Sequence, residues 1–100
     1  MKDKKIISYG EEIPAKLTLL QRDLILEHTT ASPELTGRLR TAPVESRHVI
    51  VHYSLDDLDE LAGCIAAEAR ETRNQKLRRQ MESLWEKLMY IEESYLEEEG

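Results

Sequence analysis

The clearest hydrophobic pattern in the chain lies between residues 77 and 96. Large apolar side chains recur there in steps of four or three residues, at Leu77, Met81, Leu84, Leu88, Ile91 and Tyr95. This heptad spacing is typical of a helix that packs along its length against another helix. Trp85, Met89 and Leu96 widen the apolar arc to roughly 160° at ~100° per residue, which is enough to cover two neighbours.

A second helical pattern precedes this one. Apolar residues at helical spacing form one stripe, which comprises Leu55, Leu58, Leu61, Ala62, Ile65 and Ala69. Ser54 and Asp57 have the spacing of a capping box, and the first turn is acidic, as the helix dipole favours. Gly63 and Ala67 lie four residues apart beside the stripe, and small residues at this spacing favour a close crossing with another helix.

The segment between these two patterns, residues 70–76, carries no large apolar side chain. Thr72 and Gln75 again have capping-box spacing, so we expect a turn near residues 70–74 that joins two antiparallel helices. Neither glycine nor proline interrupts the segment, however. One unbroken helix from residue 54 to about residue 96 is therefore the competing interpretation.

Two shorter helices are predicted in the first half of the chain. Thr18 begins a capping-box pattern, and the leucines around it indicate a helix over residues 18–29. Ser32 and Pro33 are typical of an N-cap and a first helical position, which predicts a second helix over residues 33–41.

The segment after these helices is rich in β-branched residues and predicts a strand over residues 48–53. On a strand, Val49, Val51 and Tyr53 share one face. A strand needs a hydrogen-bonding partner. The sequence offers three candidates: residues 6–9, residues 44–45 folded back over residues 46–47, or another subunit.

Together these patterns predict a mainly α fold, a small helical domain with a C-terminal antiparallel helical hairpin and one short β element. The four helices are expected at about residues 18–29, 33–41, 54–70 and 74–96, with the first two packed across the hairpin. Residues 1–16 are expected to form a polar, partly ordered N-terminal segment, and residues 17–100 the single domain. The predicted core comprises Leu20, Leu24, Leu39, Val51, Leu58, Leu61, Ile65, Leu77, Leu84, Leu88 and Ile91.

Composition restricts the class of protein. The chain has 100 residues, of which 40% are hydrophobic and 34% charged, and its net charge is −6. The apolar content is too high for a disordered chain, and the acidic balance argues against a general binder of nucleic acid or of anionic membranes. The longest uncharged apolar stretch, residues 61–67, is far shorter than the ~20 residues of a membrane span. No apolar run of signal-peptide length lies near the N-terminus, so a cytoplasmic location is expected.

Candidate catalytic and metal-binding residues are few. Cys64 lies within a predicted helix rather than at a helix N-terminus, where a thiolate would be stabilised, so a small half-buried hydrophobe is the simpler interpretation. His48 and His52 share a strand face and His28 ends a helix, but their spacing matches no zinc motif. We therefore expect no enzyme activity, no cofactor and no metal, and we assign no catalytic residue.

The width of the C-terminal apolar arc suggests a function. A hairpin partner covers only part of the arc, and the remaining apolar side chains would stay exposed and mark an interface. We expect a non-enzymatic protein-interaction module that binds itself, as a homodimer, or another protein through its C-terminal amphipathic helix. Cover of the arc by the first helix is the alternative interpretation. The expected interface comprises Met81, Leu84, Trp85, Leu88, Met89 and Tyr95.

A small nucleic-acid-associated regulator is the alternative function. Five basic residues and one acid leave residues 70–80 with a local charge of +4, and a second basic patch lies between residues 38 and 47. On a helical wheel the basic side chains of the first patch point in different directions, which favours a solvated turn over a groove-facing stripe. The residues that would meet phosphates are Arg38, Arg40, Arg70, Arg73 and Arg79.

Overall fold

A computed structural model describes residues 3–98 of the chain. In this range the elements follow in the order β1 (Lys5–Ser8), β2 (Ile13–Thr18), α1 (Leu19–His28), α2 (Pro33–Thr41), β3 (Val44–Glu45), β4 (His48–Tyr53), α3 (Leu55–Glu71), α4 (Gln75–Glu93) and β5 (Tyr95–Glu98). The sequence-based predictions for residues 1–2 and 99–100 lie outside the described residues.

The fold is α+β rather than mainly α, so the predicted fold class is wrong. Strands make up 23% of the described residues and form two sheets. One sheet is antiparallel with the strand order β2-β4-β3, and the other is a parallel pair of β1 and β5. Strand β2 was not predicted because Pro14 interrupts its alternating pattern. Strand β5 was not predicted because it has only four residues and follows almost directly on α4, whose helical pattern extends into it.

The antiparallel sheet presents one apolar face to the core. Strands β2 and β4 pair along six residues, so that every buried side chain of one strand lies opposite a buried side chain of the other. Pro14 is tolerated in β2 because this strand lies at the sheet edge, where an N–H can be lost. The buried pairs are Ile13 with Tyr53, Ala15 with Val51, and Leu17 with Val49.

The predicted strand over residues 48–53 is confirmed, and of its three candidate partners residues 44–45 pair with it, as β3. Residues 6–9 were a wrong candidate, because β1 pairs with β5, and the longer partner, β2, was not among the candidates. Val44 lies opposite Val49 in an antiparallel hairpin. Its two connecting residues, Ser46 and Arg47, have φ values of 49° and 65°. Positive φ at both central positions is what a type I′ hairpin turn requires.

The parallel pair of β1 and β5 brings the two ends of the described chain together. Ile7 points inward and is buried, and the backbone N–H of Gly10 donates to the Glu97 carboxylate at 2.7 Å. On the outer face, Ile6 lies opposite Leu96, and both side chains are exposed. This N-terminal segment, expected to be polar and partly ordered, therefore supplies core residues to the fold.

Helices α3 and α4 form the predicted hairpin, and the unbroken helix is excluded because α3 ends at Glu71 and α4 begins at Gln75. The side chain of Asn74, not Thr72, caps α4 by accepting from the Leu77 N–H. Arg78 closes the connection, since its guanidinium donates to the carbonyls of Ala69 and Thr72. α4 ends at Glu93, three residues before its predicted end.

The core forms one cluster that the helices and the antiparallel sheet share. Leu77 and Ile91, both predicted to lie in the core, are only partly buried and pack against it. The prediction that Leu20 lies in the core is wrong, since this side chain is 57% exposed. The buried direction of α1 lies between Leu24 and Ile25, and at ~100° per residue Leu20 is turned about 90° away from it. The confirmed core residues are Leu24, Leu39, Val51, Leu58, Leu61, Ile65, Leu84 and Leu88.

The capping box of α3 yields a first testable prediction. The Ser54 hydroxyl accepts from the Asp57 N–H at 3.1 Å, and the Asp57 carboxylate accepts from the Ser54 N–H at 3.2 Å. Replacing Ser54 with alanine removes the hydroxyl and disrupts this reciprocal pair, so we expect the free energy of unfolding to fall by about 1 kcal/mol. Urea denaturation followed by circular dichroism measures it. Ser83→Ala, at an exposed position within α4, is the control and should cause no loss; equal effects of the two changes would contradict the capping role.

Candidate interaction surface

The apolar arc of α4 is divided between the core and the surface. Three of the six predicted interface residues, Met81, Leu84 and Leu88, are fully buried inside the chain's own core and have no side-chain surface to offer a partner. Trp85 remains 39% exposed, and Met89 is half-buried. The arc is wide because one part faces inward and another part borders solvent.

Tyr95, the sixth predicted interface residue, does not belong to α4. It lies in β5, where it is half-buried and packs against the core. Its predicted place in the heptad series assumed that the helix continues to residue 96, whereas α4 ends two residues before it. Tyr95 therefore stands apart from Trp85 and Met89.

Helix α1 does not cover Trp85, although cover by the first helix was the alternative explanation of the wide arc. α1 reaches α4 through Lys87, whose ammonium donates to the Gln21 side chain at 2.9 Å. Lys87 follows Trp85 by two positions, which turns the two side chains roughly 160° apart on the helix. Burial lowers the pKa of Lys87, with a contribution from the nearby Lys16 charge.

The exposed part of the arc adjoins small residues of α3. Trp85 lines a shallow depression of about 210 Å³ together with Ala66, Ala69, Arg70 and Glu82. One turn from Ala66, the exposed Gly63 continues the strip of small side chains along α3. We call the surface formed by Gly63, Ala66, Trp85 and Met89 the hairpin face.

Gly63 does not mark a tight crossing inside this chain, although its spacing with Ala67 favours a close crossing with another helix. A Cβ atom built on Gly63 would meet nothing within 4 Å. The spacing of Gly63 and Ala67 does identify a smooth strip, but the strip faces outward. The predicted interface contained no residue of α3, because the periodicity of one helix does not show which residues of another helix lie beside it.

The open space at Gly63 gives a second prediction. Glycine within a helix costs about 1 kcal/mol relative to alanine, so Gly63→Ala is expected to raise the free energy of unfolding by about that amount. The measurement is best made in a Trp85→Ala background, which keeps any association through the hairpin face out of the unfolding curve. Gly10→Ala is the opposite control, because Gly10 has a φ of +78° and alanine there is strained. Destabilisation by Gly63→Ala would reveal a contact that the fold does not show.

The hairpin face carries opposite charges at its two ends. Near the α3–α4 connection lie the exposed Arg70 and Arg73, which we call the basic end; the exposed Glu82 of α4 lines the same depression as Arg70. At the opposite end, which we call the acidic end, Glu92 and Glu93 of α4 lie near the first turns of α3. The acidic residues of α3 at this end are Asp56 and Asp59.

Glu92 is the least satisfied group of the acidic end. Burial raises the pKa of the Glu92 carboxyl, and the negative charges of Asp59, Glu93 and Asp56 raise it further. Its Oε2 atom is buried, and among residues 3–98 no hydrogen-bond partner reaches it. A buried polar atom without a partner costs free energy, so this carboxyl group would gain from a cationic donor.

Arg38, one of the predicted phosphate-binding residues, is engaged within the fold. Its guanidinium forms salt bridges with Glu12 at 2.9 Å and Glu34 at 3.1 Å. It also contacts Asp57 at 3.3 Å and donates to the carbonyl of His52 at 3.2 Å. A guanidinium that already binds three carboxylates is a poor ligand for a phosphate. Arg38 instead joins α2 to β4 and α3.

Tyr53 extends this polar cluster into the core. The Arg38 guanidinium lies 5.7 Å from the centre of the Tyr53 ring, and the Tyr53 hydroxyl donates to the carbonyl of Leu35. Burial raises the pKa of Tyr53 far above its ordinary value; Arg38 offsets part of the rise, and Asp57 adds to it. The phenol therefore remains a hydrogen-bond donor that ties β4 to α2.

The other four predicted phosphate-binding residues lie at the surface. Arg40 is exposed on α2, and Arg70, Arg73 and Arg79 are exposed around the α3–α4 connection. Within the part of the chain that the structure describes, no salt bridge engages any of these four arginines. Arg79 lies roughly 120° around α4 from Trp85, outside the hairpin face.

The remaining candidate residues lie on α3 and β4. Burial raises the pKa of the Cys64 thiol, and the Glu60 charge raises it further, so the thiol stays protonated. The Nδ1 atom of His48 lies 2.9 Å from the Ser46 carbonyl. Across the described range 3–98, no group of three or more His, Cys, Asp or Glu side chains could hold a metal ion. In the same range, no helix has the length and apolar character that crossing a membrane requires.

Comparison of the chain with models of known protein families found no match. Comparison with curated proteins and with solved structures also found none.

Proposed function

We propose that the protein is a non-enzymatic protein-interaction module that pairs with a second copy of itself through the hairpin face. The observation that carries the proposal is the exposure of Trp85, which lines a depression with Ala66, one helical turn along α3 from the open position of Gly63. A half-exposed indole keeps a large apolar area in contact with water, and tryptophan is among the residues that dominate binding energies at interfaces.

The shape of the hairpin face suits a second copy. In a twofold dimer the same surface meets itself, so it must carry both a protrusion and the space that receives it. Trp85 supplies the protrusion, and Gly63 with Ala66 supplies a strip of small residues on the neighbouring helix. Each copy could thus place its indole over the small residues of the other copy, in two equivalent contacts.

The non-enzymatic part of the proposal is supported by the state of the most nucleophilic side chain. A thiol whose pKa is raised is a poor nucleophile at neutral pH, and Cys64 lies away from any helix N-terminus. The cytoplasmic location expected from the sequence belongs to the same proposal.

Static light scattering over a concentration series tests the proposal. We expect association in about the micromolar range, so the measured mass should rise from the 11.6 kDa of one chain to twice that value. A mass of one chain at every concentration up to about 1 mM, equivalent to roughly 4 kcal/mol of binding free energy, would contradict self-association.

A second candidate function is supported by the exposed arginines around the α3–α4 connection. Because Arg70, Arg73 and Arg79 carry no salt bridge among the described residues, their charges are free to meet phosphates. Such binding would weaken steeply between about 50 and 200 mM salt. A gel-shift titration with duplex DNA and with single-stranded RNA tests it, and absence of binding at low salt would exclude this function.

A further inference from the structure

We infer that the two copies pair antiparallel about a twofold axis near Trp85, so that Arg70 of each copy binds Glu92 of the other. The inference rests on the proposed self-association and specifies its geometry. It also assigns a partner to a carboxylate oxygen that has none among the described residues of its own chain. Three observations carry it: the spacing of the charges along the hairpin, the state of Glu92, and the penalty of the opposite orientation.

The spacing of the charges fits a twofold axis at Trp85. Ala66 and Trp85 line the same depression, so they lie at about the same level of the hairpin. At a rise of about 1.5 Å per residue, Arg70 lies about 6 Å from Ala66 on one side. By the same measure Glu92 lies about 10 Å from Trp85 on the other side. Along the hairpin, the midpoint between Arg70 and Glu92 therefore lies within about 2 Å of the level of Trp85. The long arginine side chain can span a difference of this size.

The chemistry of Glu92 fits an arginine from another copy. Its Oε2 atom has no hydrogen-bond partner among the described residues, and the negative charges of Asp59, Glu93 and Asp56 act on the carboxyl group. The side chain as a whole is only half-buried, so a change of rotamer along its outer χ angles can bring the carboxylate to the surface. A guanidinium binds both oxygens of a carboxylate in parallel, which a lysine ammonium does not do.

Charge decides between the two possible orientations of the helices. With the hairpins parallel, the basic ends of the two copies would face each other, and so would the acidic ends. Like charges held together at an interface weaken binding strongly. With the hairpins antiparallel, each basic end meets an acidic end, while Trp85 stays at the centre in both copies.

Two single charge reversals test this geometry. Arg70→Glu leaves a glutamate on both sides of each contact, and Glu92→Arg leaves an arginine on both sides. Each variant alone is expected to dimerise at least about tenfold more weakly than the wild type, since both of its contacts become repulsive. An equimolar mixture of the two variants should restore dimers. In the mixed dimer, the two substituted side chains meet with opposite charges at one contact, and the native Arg70 and Glu92 meet at the other.

The same test has matched controls. The double variant Arg70→Glu with Glu92→Arg restores opposite charges at both contacts, so it is expected to homodimerise. Arg79→Glu changes charge equally but lies outside the hairpin face, so dimerisation should stay within about twofold of the wild type. Circular dichroism of each variant checks that it folds, and light scattering measures its mass.

The possible failures are distinguishable. A wild-type chain that remains monomeric overturns the proposed self-association and this inference with it. A wild-type dimer that Trp85→Ala dissociates, but whose charge-reversal variants dimerise normally or fail to recover on mixing, overturns only the Arg70–Glu92 pairing. Recovery on mixing, with weak association of each variant alone, supports the antiparallel geometry.

Discussion

Leu84→Ala is expected to lower the free energy of unfolding by about 2–5 kcal/mol, the cost of leaving a cavity where a fully buried leucine lay. Leu84 has no exposed side-chain surface and belongs to the central cluster of the core. A small domain is stable by only about 5–15 kcal/mol in total, so this one change removes a large part of its stability. Urea denaturation monitored by circular dichroism measures the loss.

The matched control for Leu84 is Leu20→Ala, the same substitution at a leucine that is 57% exposed. We expect its effect to stay within about 0.5 kcal/mol, as for most surface substitutions. Equal losses for the two variants would contradict the burial of Leu84 in the core and the exposure of Leu20.

Trp85→Ala is expected to weaken dimerisation by roughly 30-fold to 1000-fold, while the variant chain stays folded. Truncation of a tryptophan at the centre of an interface commonly costs about 2–4 kcal/mol. In a twofold dimer one substitution removes two indoles, and about 2–4 kcal/mol is the loss expected for the two together. Light scattering or sedimentation equilibrium over a concentration series measures the change in dissociation constant.

Leu20→Ala is again the control, because Leu20 is a more exposed apolar residue that lies on α1, outside the hairpin face. Its dissociation constant should match that of the wild type. Equal weakening by Leu20→Ala and Trp85→Ala would show that exposed apolar area in general, rather than the hairpin face, drives association.

The helices could be predicted from the sequence because their determinants are local. Capping boxes at Thr18 and Ser54 and the proline at position 33 each act within one helical turn. The hairpin followed from the absence of large apolar side chains between residues 70 and 76. Each of these patterns is complete within a few neighbouring residues, so no knowledge of the rest of the fold was needed.

The sheets could not be predicted to the same extent because strand pairing is not local. β1 pairs with β5 across almost the whole chain, and no pattern near either strand indicates such a partner. β2 does alternate, with Ile13, Ala15 and Leu17 facing inward, but Pro14 hides the alternation. A proline in a strand is acceptable only at an edge, and which strand is an edge depends on the completed sheet.

The exposed surface of the hairpin was predicted only in part, because it also depends on contacts between residues far apart in the sequence. Periodicity identifies which side chains of α4 share an arc, and Trp85 and Met89 belong to it. It does not say which part of the arc the rest of the chain covers, and Leu84 lies in the core. The contribution of α3 depends on how two helices pack, although the small residues around Gly63 were visible in the sequence.

Trp85 is the only tryptophan in the chain, so its fluorescence reports directly on the hairpin face. In a dilution series of the wild-type protein, we expect the emission maximum to move to longer wavelength as water reaches the indole. The shift should follow the fall in mass measured by light scattering, with the same midpoint concentration. An emission maximum that stays constant while the mass halves would show that the two copies meet through another surface and would contradict pairing at Trp85.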